Sequence, residues 1–402
     1  MVQIEQVKGI MEQNLPECWS PLEACLSIIG AATLKDIDHC IGLILVGAPG
    51  GRKTTTIGLL GRRDPLIKID TFTPASFVSH DASKTEASLQ KIDLLPQIKH
   101  KIMVIPELSP LFTQRYEDLT KDIGILTAVM DGTGFKSASG AHGKRGYDGD
   151  YRFGMIAATV PLEHRVWQAL GRLSSRWIFY RLEEATGEGF DLRADFGSKK
   201  AVCEAVIQPF IKDLWKGFAS VPWNRAGDDE FLTDLLTVSA QLICKWRGIT
   251  VRQDATGYNP ALTEVPYRLA ETLYALARGH ALLWGRTQIE TADTFFAMGV
   301  NCGNMPEDRA KLFREFMGKG LKNWDEIVAK RLSSADFPAT LSQQQAAKIL
   351  GETFTLSATL SLGEVAEAIG CAPSTASRVL AELTDLEIVE RDNNNKGYSW
   401  II

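Results

Sequence analysis

Residues 43–56 read LILVGAPGGRKTTT, in which an apolar run passes into a glycine-rich loop that ends in Lys-Thr. A strand followed by such a loop and a helix is typical of a phosphate-binding P-loop, whose backbone N–H groups hold phosphate oxygens. We expect Lys53 to reach the β- and γ-phosphates and the Thr54 hydroxyl to bind Mg²⁺. The loop departs once from the G-x-x-x-x-G-K-[ST] pattern, because Arg52 occupies the place of the second glycine.

The residues on either side of the loop support this interpretation. Residues 41–46 form a continuous apolar run, as in a strand buried in a parallel sheet. Residues 54–60 can continue as a helix, whose N-terminus favours anions. The alternative is a strand–turn–helix unit without a ligand, since glycines also occur in ordinary turns. The predicted nucleotide contacts are Gly47, Gly50, Gly51, Arg52, Lys53, Thr54 and Thr55.

Length and composition limit the class of protein. A chain of 402 residues predicts two or three domains, and 45% hydrophobic with 23% charged residues is ordinary for a soluble globular protein. The seven scattered cysteines form no C-x-x-C pair, which predicts a reducing cytoplasm and no zinc site. No signal-peptide core and no apolar run of about 20 residues occurs, so we expect no membrane contact. The net charge of −5 neither indicates nor excludes nucleic-acid binding, which depends on local patches.

The pattern along the chain predicts four parts. Residues 1–40 form short helices, residues 41–190 an α/β core, residues 191–337 a helical domain and residues 338–402 a small C-terminal domain after a linker at 338–340. Apolar strands near 41–46, 66–69, 102–105, 153–158 and 177–182 alternate with helices, which favours a parallel sheet. Helical spacing of apolar residues, as at 267–277, predicts the helical domain.

Three further residues are candidates for ATP hydrolysis. Glu107 follows the apolar run 101–105 and could activate water or join Thr54 on Mg²⁺, although Pro106 stands where a typical Walker B motif has Asp. The alternative is an exposed Glu after a buried strand. Thr159 ends another strand, a common position for Thr, where it could contact the γ-phosphate. Arg176 precedes a third strand and could act as an arginine finger on a neighbouring subunit's nucleotide; a surface salt bridge, or Arg172 in that role, are the alternatives.

The order of these parts resembles the AAA+ module of minichromosome maintenance (MCM) helicases, especially the shorter MCM-like ATPases of mobile genetic elements. Residues 71–76 (TFTPAS) stand in the place of the family's "Gly-Leu-Thr-Ala"-like turn. Residues 128–147 resemble a helix ending in a Met-Glu-like pair followed by the pre-sensor 1 hairpin. Residues 156–161 (IAATVP) stand for "Leu-Ala-Ala-Asn-Pro". The match of 175–177 to "Ser-Arg-Phe" selects Arg176 over Arg172.

The resemblance covers roughly residues 40–300 and the C-terminal domain. It implies an AAA+ P-loop NTPase core with a helical lid, a ring-shaped homo-oligomer, a hexamer in this family, and ATP with Mg²⁺ as cofactors. Glu107 would be the water-activating carboxylate, Thr159 sensor 1, Arg176 the trans-acting finger and Arg268 sensor 2. The large N-terminal DNA-binding region of full MCM proteins has no counterpart, so a separate DNA-loading protein is a candidate partner.

Two segments are predicted to contact DNA. The glycine-rich hairpin carries Lys136, His142, Lys144 and Arg145, which suit tracking of the phosphate backbone in a ring pore. A solvated surface loop is the alternative.

The C-terminal domain is predicted to be a winged helix-turn-helix, with helices at 362–370 and 373–383 and two strands around the polar tip 393–397. In such folds the start of the second helix faces the major groove. The predicted DNA contacts are Ser374, Thr375, Ser377, Arg378 and, on the wing, Lys396. The alternative is a winged helix used for protein contact or for regulating the ATPase.

The favoured hypothesis is a ring-forming, ATP-dependent DNA helicase or translocase. The second is a nucleotide-dependent, DNA-binding switch without unwinding activity, which Arg52 and Pro106 favour. A third is another P-loop enzyme such as a kinase, which the winged helix and the late arginines disfavour.

Overall fold

The computed structural model describes residues 3–71, 73–79, 83–139, 143–173, 176–182, 196–250, 252–254, 257–258, 262–320, 359–392 and 397–400. The chain forms two compact units. The sheet unit comprises residues 1–227 and 271–300, and the helical unit comprises residues 228–270 and 301–402. Residues of the predicted helical domain contribute to both units, and the predicted linker at 338–340 lies outside the described residues.

The sheet unit is built on five parallel strands in the order β2-β3-β6-β1-β7. They are β1 (Ile41–Val46), β2 (Leu66–Lys68), β3 (Ile102–Ile105), β6 (Gly154–Thr159) and β7 (Trp177–Arg181). Every residue of β1, β3 and β6 is buried, which explains their unbroken apolar sequences. The predicted α/β class and all five predicted strands are confirmed, with ends shifted by at most one residue.

Helices cover the sheet. The chain begins with α1 (Ile4–Asn14), the 3₁₀ turn Pro16–Cys18 and α2 (Trp19–Ala31); between the strands lie α3 (Lys53–Leu59), the 3₁₀ turn Pro74–Phe77, α4 (Glu86–Ile92), α5 (Leu94–Ile98), α6 (Ser109–Phe112), α7 (Tyr116–Val129) and α8 (His164–Leu173). Leu126 of α7 and Leu170 of α8 join Ile44, Met103 and Met155 of the strands in one buried core. This packing fixes the strand ends at which the candidate site lies.

A β-hairpin precedes β6, as predicted. Its strands are β4 (Gly134–Ser139) and β5 (Gly143–Asp148), which pair antiparallel. The sheet unit also contains α9 (Phe196–Leu214), a 3₁₀ turn at Arg225–Gly227, and most of α11 (Tyr267–Leu283) and α12 (Thr291–Asn301). Among the described residues, no helix combines the length and the apolar character needed to cross a bilayer.

The helical unit contains α10 (Glu230–Trp246), the short strands β8 (Arg252–Asp254) and β9 (Gly257–Tyr258), and α13 (Glu307–Gly320). Its C-terminal part has two helices, α14 (Leu362–Ile369) and α15 (Pro373–Asp385), and strands β10 (Thr359–Ser361), β11 (Val389–Asp392) and β12 (Gly397–Trp400). The strands form an antiparallel sheet in the order β10-β12-β11. The predicted helix-turn-helix is therefore confirmed, and both predicted strands are present, with β10 as a third strand that the sequence did not predict.

Candidate functional site

Lys53, Glu107 and Thr159, three of the predicted site residues, lie at the carboxyl edge of the sheet. The glycine-rich loop follows β1, Glu107 follows β3, and Thr159 is the last residue of β6, directly opposite Val46. The Gly47 amide donates to the Thr159 carbonyl at 3.3 Å. Because β6 lies between β1 and β3, the loop and Glu107 flank the end of β6. Crevices at the carboxyl ends of parallel strands are the usual ligand sites of α/β sheets.

The glycine-rich loop contains two residues in the left-handed backbone region. Gly50 has φ +78° and Arg52 has φ +64°. Glycine adopts this conformation freely, whereas a side chain there costs about 1–2 kcal/mol. The Arg52 Nε forms an ion pair with the Glu17 carboxylate at 3.2 Å. The guanidinium carbon also lies 4.5 Å from the centroid of the Phe196 ring. These contacts help to offset the strain of an arginine at a position that suits glycine.

Lys53 is engaged by the loop itself. Its side chain is 5% exposed, and Nζ donates to the carbonyls of Gly47 at 2.6 Å and Ala48 at 2.7 Å. Burial lowers the pKa of Lys53, while the negative charge of Glu107 acts in the opposite direction. Thr54, the next residue of α3, is exposed to solvent.

Glu107 is exposed, and Ser109 holds its carboxylate. The Ser109 amide donates to Oε1 of Glu107 at 3.0 Å, and the Ser109 hydroxyl donates to the same oxygen. The Ser109 Oγ also lies 3.2 Å from the Thr159 hydroxyl and accepts from the Val160 amide at 3.2 Å. Thr159 itself is fully buried. Sequence reasoning missed Ser109, whose only signal is a hydroxyl two residues after Glu107.

The two late arginines lie elsewhere. Arg176 precedes Trp177, which pairs with Gly42 near the start of β1, so Arg176 lies at the sheet edge opposite the glycine-rich loop. Its Nε and Nη2 contact the Asp131 carboxylate at 3.0 Å and 2.9 Å. Arg268 lies in the first turn of α11 and belongs to the helical unit. Only the backbone of Arg172 is described, in α8.

The basic side chains predicted on the β4–β5 hairpin differ in their surroundings. Arg145 donates to the Ser79 carbonyl and to the fully buried Asp93 carboxylate at 3.0 Å, so its guanidinium is tied into the sheet unit. Lys136 pairs with Asp148 on the facing strand. Lys144 is exposed and has no ion-pair partner among the described residues. His142 lies outside the described residues.

The second helix of the helix-turn-helix, α15, exposes its predicted DNA contacts. Ser374, Ser377 and Arg378 are exposed and Thr375 is half-buried. The opposite face buries Ala376, Val379, Leu380 and Leu383. The first helix begins with a Ser361–Glu364 capping box and ends at Gly370, with φ +66°. Lys396 lies outside the described residues.

A buried arginine connects α15 with the rest of the helical unit. Arg309 of α13 is 2% exposed and donates to the carbonyls of Trp246 at 2.8 Å and Gly248 at 2.6 Å. Its other nitrogen contacts the Glu382 carboxylate of α15 at 3.1 Å. A cation at the end of α10 is favourable for the helix dipole. The sequence gives no signal for this contact.

The comparison with known protein families concerns the C-terminal part of the chain. Residues 352–393 match the IclR helix-turn-helix domain. No curated protein matches the chain. The match agrees with the two helices and strands seen here and suggests that this part of the helical unit binds DNA. It covers a small part of the chain and does not extend to the sheet unit, whose family is not shown.

Proposed function

We propose that this protein is an ATP-dependent DNA translocase or helicase of the MCM-like AAA+ type, which hydrolyses ATP at the interfaces of a ring. The observation that carries the proposal is the meeting of Lys53, Glu107 and Thr159 at one carboxyl edge, with β6 between the loop and Glu107. The helix-turn-helix supplies the link to DNA. A nucleotide site and a DNA-binding domain in one chain are the parts that such a motor requires.

Each group at the edge has a role in this proposal. The ammonium group of Lys53 exchanges the carbonyls of Gly47 and Ala48 for the β- and γ-phosphate oxygens. Thr54 and Glu107 would hold Mg²⁺, which neutralises charge on the phosphates. Glu107 accepts a proton as a water molecule attacks the γ-phosphorus and the bond to the β–γ bridging oxygen breaks. By the resemblance, Thr159 would take the place of sensor 1 and Arg268 that of the sensor 2 arginine.

Other predicted residues would act on a neighbouring subunit or on DNA. Because Arg176 lies at the opposite sheet edge from its own loop, it would complete the site of a neighbouring copy. Lys144, on the exposed hairpin, would contact the DNA backbone without sequence preference. Ser374, Ser377 and Arg378 would face a groove of duplex DNA.

Strand displacement and DNA-stimulated ATP hydrolysis test the proposal in wild type, Lys53→Ala and Glu107→Gln. Lys53→Ala is expected to lose ATP binding because the phosphates lose their cation. Glu107→Gln is expected to bind ATP and to hydrolyse it about 100- to 10,000-fold more slowly, because no carboxylate takes the proton. Lys121→Ala and Glu117→Gln, at exposed positions of α7, are matched controls. Unchanged ATP binding and turnover in both test variants would exclude the proposed site.

A nucleotide-dependent DNA-binding switch is the second candidate. The observation that favours it is Arg52, which is strained and fastened to Glu17 and Phe196 beside the loop. Such a loop could bind ATP tightly and release it slowly. This candidate predicts ATP binding without turnover, and DNA affinity that differs between the ATP-bound and ADP-bound protein.

A further inference from the structure

We propose that Ser109 is the positioning residue of the hydrolytic carboxylate, and that Thr159 acts through Ser109 instead of contacting the nucleotide. The proposal rests on the proposed ATPase function and changes the assignment of the sensor at the end of β6. Ser109 is half-buried at the start of α6, whereas Thr159 is fully buried behind it. Of the two hydroxyl-bearing residues, Ser109 is therefore the one that is accessible from the surface.

The Ser109 hydroxyl uses its hydrogen and both of its lone pairs in hydrogen bonds. A serine hydroxyl has one hydrogen and two lone pairs. The hydrogen goes to Oε1 of Glu107, and one lone pair accepts the Val160 amide. The second lone pair is left for the Thr159 hydroxyl at 3.2 Å, so Thr159 must be the donor in that contact. The orientation of the Thr159 proton is thereby fixed toward Ser109.

This arrangement connects two strands of the sheet. Glu107 follows β3, while Thr159 and Val160 belong to the end of β6, so Ser109 holds the carboxylate against the neighbouring strand. Glu107 is exposed, and its other neighbours along the chain are Pro106 and Leu108. Without Ser109 the carboxylate can rotate about its side-chain bonds, and only a fraction of its orientations can take a proton from the attacking water. Misorientation of this kind lowers the rate without weakening substrate binding.

ATP hydrolysis is measured for the full chain in wild type, Ser109→Ala, Ser109→Thr, Thr159→Val and the double variant. Ser109→Ala is expected to lower kcat about 10- to 100-fold with KM unchanged, and Ser109→Thr to restore most of the rate because it keeps the hydroxyl. Thr159→Val alone is expected to lower kcat about 10-fold or less, since one neutral hydrogen bond is lost. In the Ser109→Ala background, Thr159→Val is expected to have no further effect.

Each other result overturns a stated part of the proposal. A rate loss from Thr159→Val that is equal in both backgrounds means that Thr159 contacts the nucleotide directly. A wild-type rate for Ser109→Ala removes the positioning role. Thr113→Val, directly after α6, is the matched control, because the one hydrogen bond of its hydroxyl among the described residues is to the Pro110 carbonyl, at 3.4 Å, and it should keep the wild-type rate. If Ser109→Ala does not fold, Ser109→Cys, with a similar shape and a weak donor, replaces it.

Crystal structures of wild type and Ser109→Ala separate this inference from the proposed function. We expect one Glu107 orientation in wild type and a different or disordered carboxylate in Ser109→Ala. If wild type binds ATP without hydrolysing it, the proposed activity fails, and the Glu107 orientation alone decides the role of Ser109. An identical Glu107 in the two structures would refute that role.

Discussion

The carboxyl edge of the sheet and the second helix of the helix-turn-helix present their polar side chains differently. At the sheet edge, Lys53 donates to two carbonyls of its own loop, and Glu107 accepts two hydrogen bonds from Ser109. On α15, Ser377 and Arg378 point to solvent from a helix whose opposite face is buried. A ligand at the edge would have to replace internal hydrogen bonds, whereas DNA on the helix would displace water and ions.

This difference determines how each site should respond to its conditions. In the proposed function, Lys53 would exchange two neutral carbonyl partners for charged phosphate oxygens, and the rest of the binding would come from the hydrogen bonds that a correctly shaped loop gives the phosphates. A contact between a DNA phosphate and an exposed basic side chain such as Arg378 releases counterions and weakens as the salt concentration rises. We therefore expect the edge to select its ligand by geometry and the helix to depend on ionic strength.

The largest effect is expected for Arg176. Its loss would show that the nucleotide site at the carboxyl edge needs a residue from a second subunit. Arg176→Ala should bind ATP normally and lose about 1,000-fold or more in turnover, because the transition-state charge loses its trans-acting cation. The measurement is ATP binding alongside steady-state hydrolysis. Mixing Arg176→Ala with Lys53→Ala subunits should restore some turnover, since a mixed interface can contain one intact loop and one intact arginine.

Asp131→Ala is the matched control for that experiment, because it removes the ion-pair partner of Arg176 and leaves the guanidinium. If Arg176 serves only this salt bridge, both variants should behave alike. Normal turnover in Arg176→Ala would exclude the finger role and leave the edge as a site within one subunit.

The sequence predicted backbone placement better than side-chain partners. Strands β1 and β3 were located to the residue because both faces are buried and the apolar runs are unbroken. Glu107 and Thr159 followed, since the ends of parallel strands share one edge. The role of Arg145 was harder to judge, because a glycine- and lysine-rich segment indicates an exposed hairpin but does not reveal a carboxylate 52 residues away, Asp93.

Other features were not predictable for the same reason. Arg309 is one arginine of an amphipathic helix in the sequence, and its partners lie 61 to 73 residues away along the chain. Ser109 resembles any serine that begins a helix. Contacts between residues distant in sequence depend on the packing of whole elements, which local patterns do not specify.

An intermediate effect is expected for Arg378, which is exposed on α15. Arg378→Ala should weaken duplex DNA binding about 10-fold and reduce the slope of log K against log salt by about one, because one phosphate or base contact is lost. Fluorescence anisotropy at several salt concentrations measures both quantities. Arg115→Ala, an exposed arginine of the sheet unit, is the control, and ATP hydrolysis without DNA should not change. Unchanged affinity would instead favour a winged helix that contacts protein.

The smallest effect is expected at Arg52, where the edge departs from the glycine pattern. Arg52→Ala loses the contacts with Glu17 and Phe196 and keeps the positive φ, whereas Arg52→Gly loses the same contacts and the strain. Urea denaturation should therefore find Arg52→Gly more stable than Arg52→Ala by about 1 kcal/mol. If the fastened arginine slows a motor, Arg52→Gly should also hydrolyse ATP faster than wild type at an unchanged Kd. A glycine variant that gains stability without gaining turnover would mean that the loop tolerates arginine, and that any slow turnover has its cause at Pro106 and Glu107.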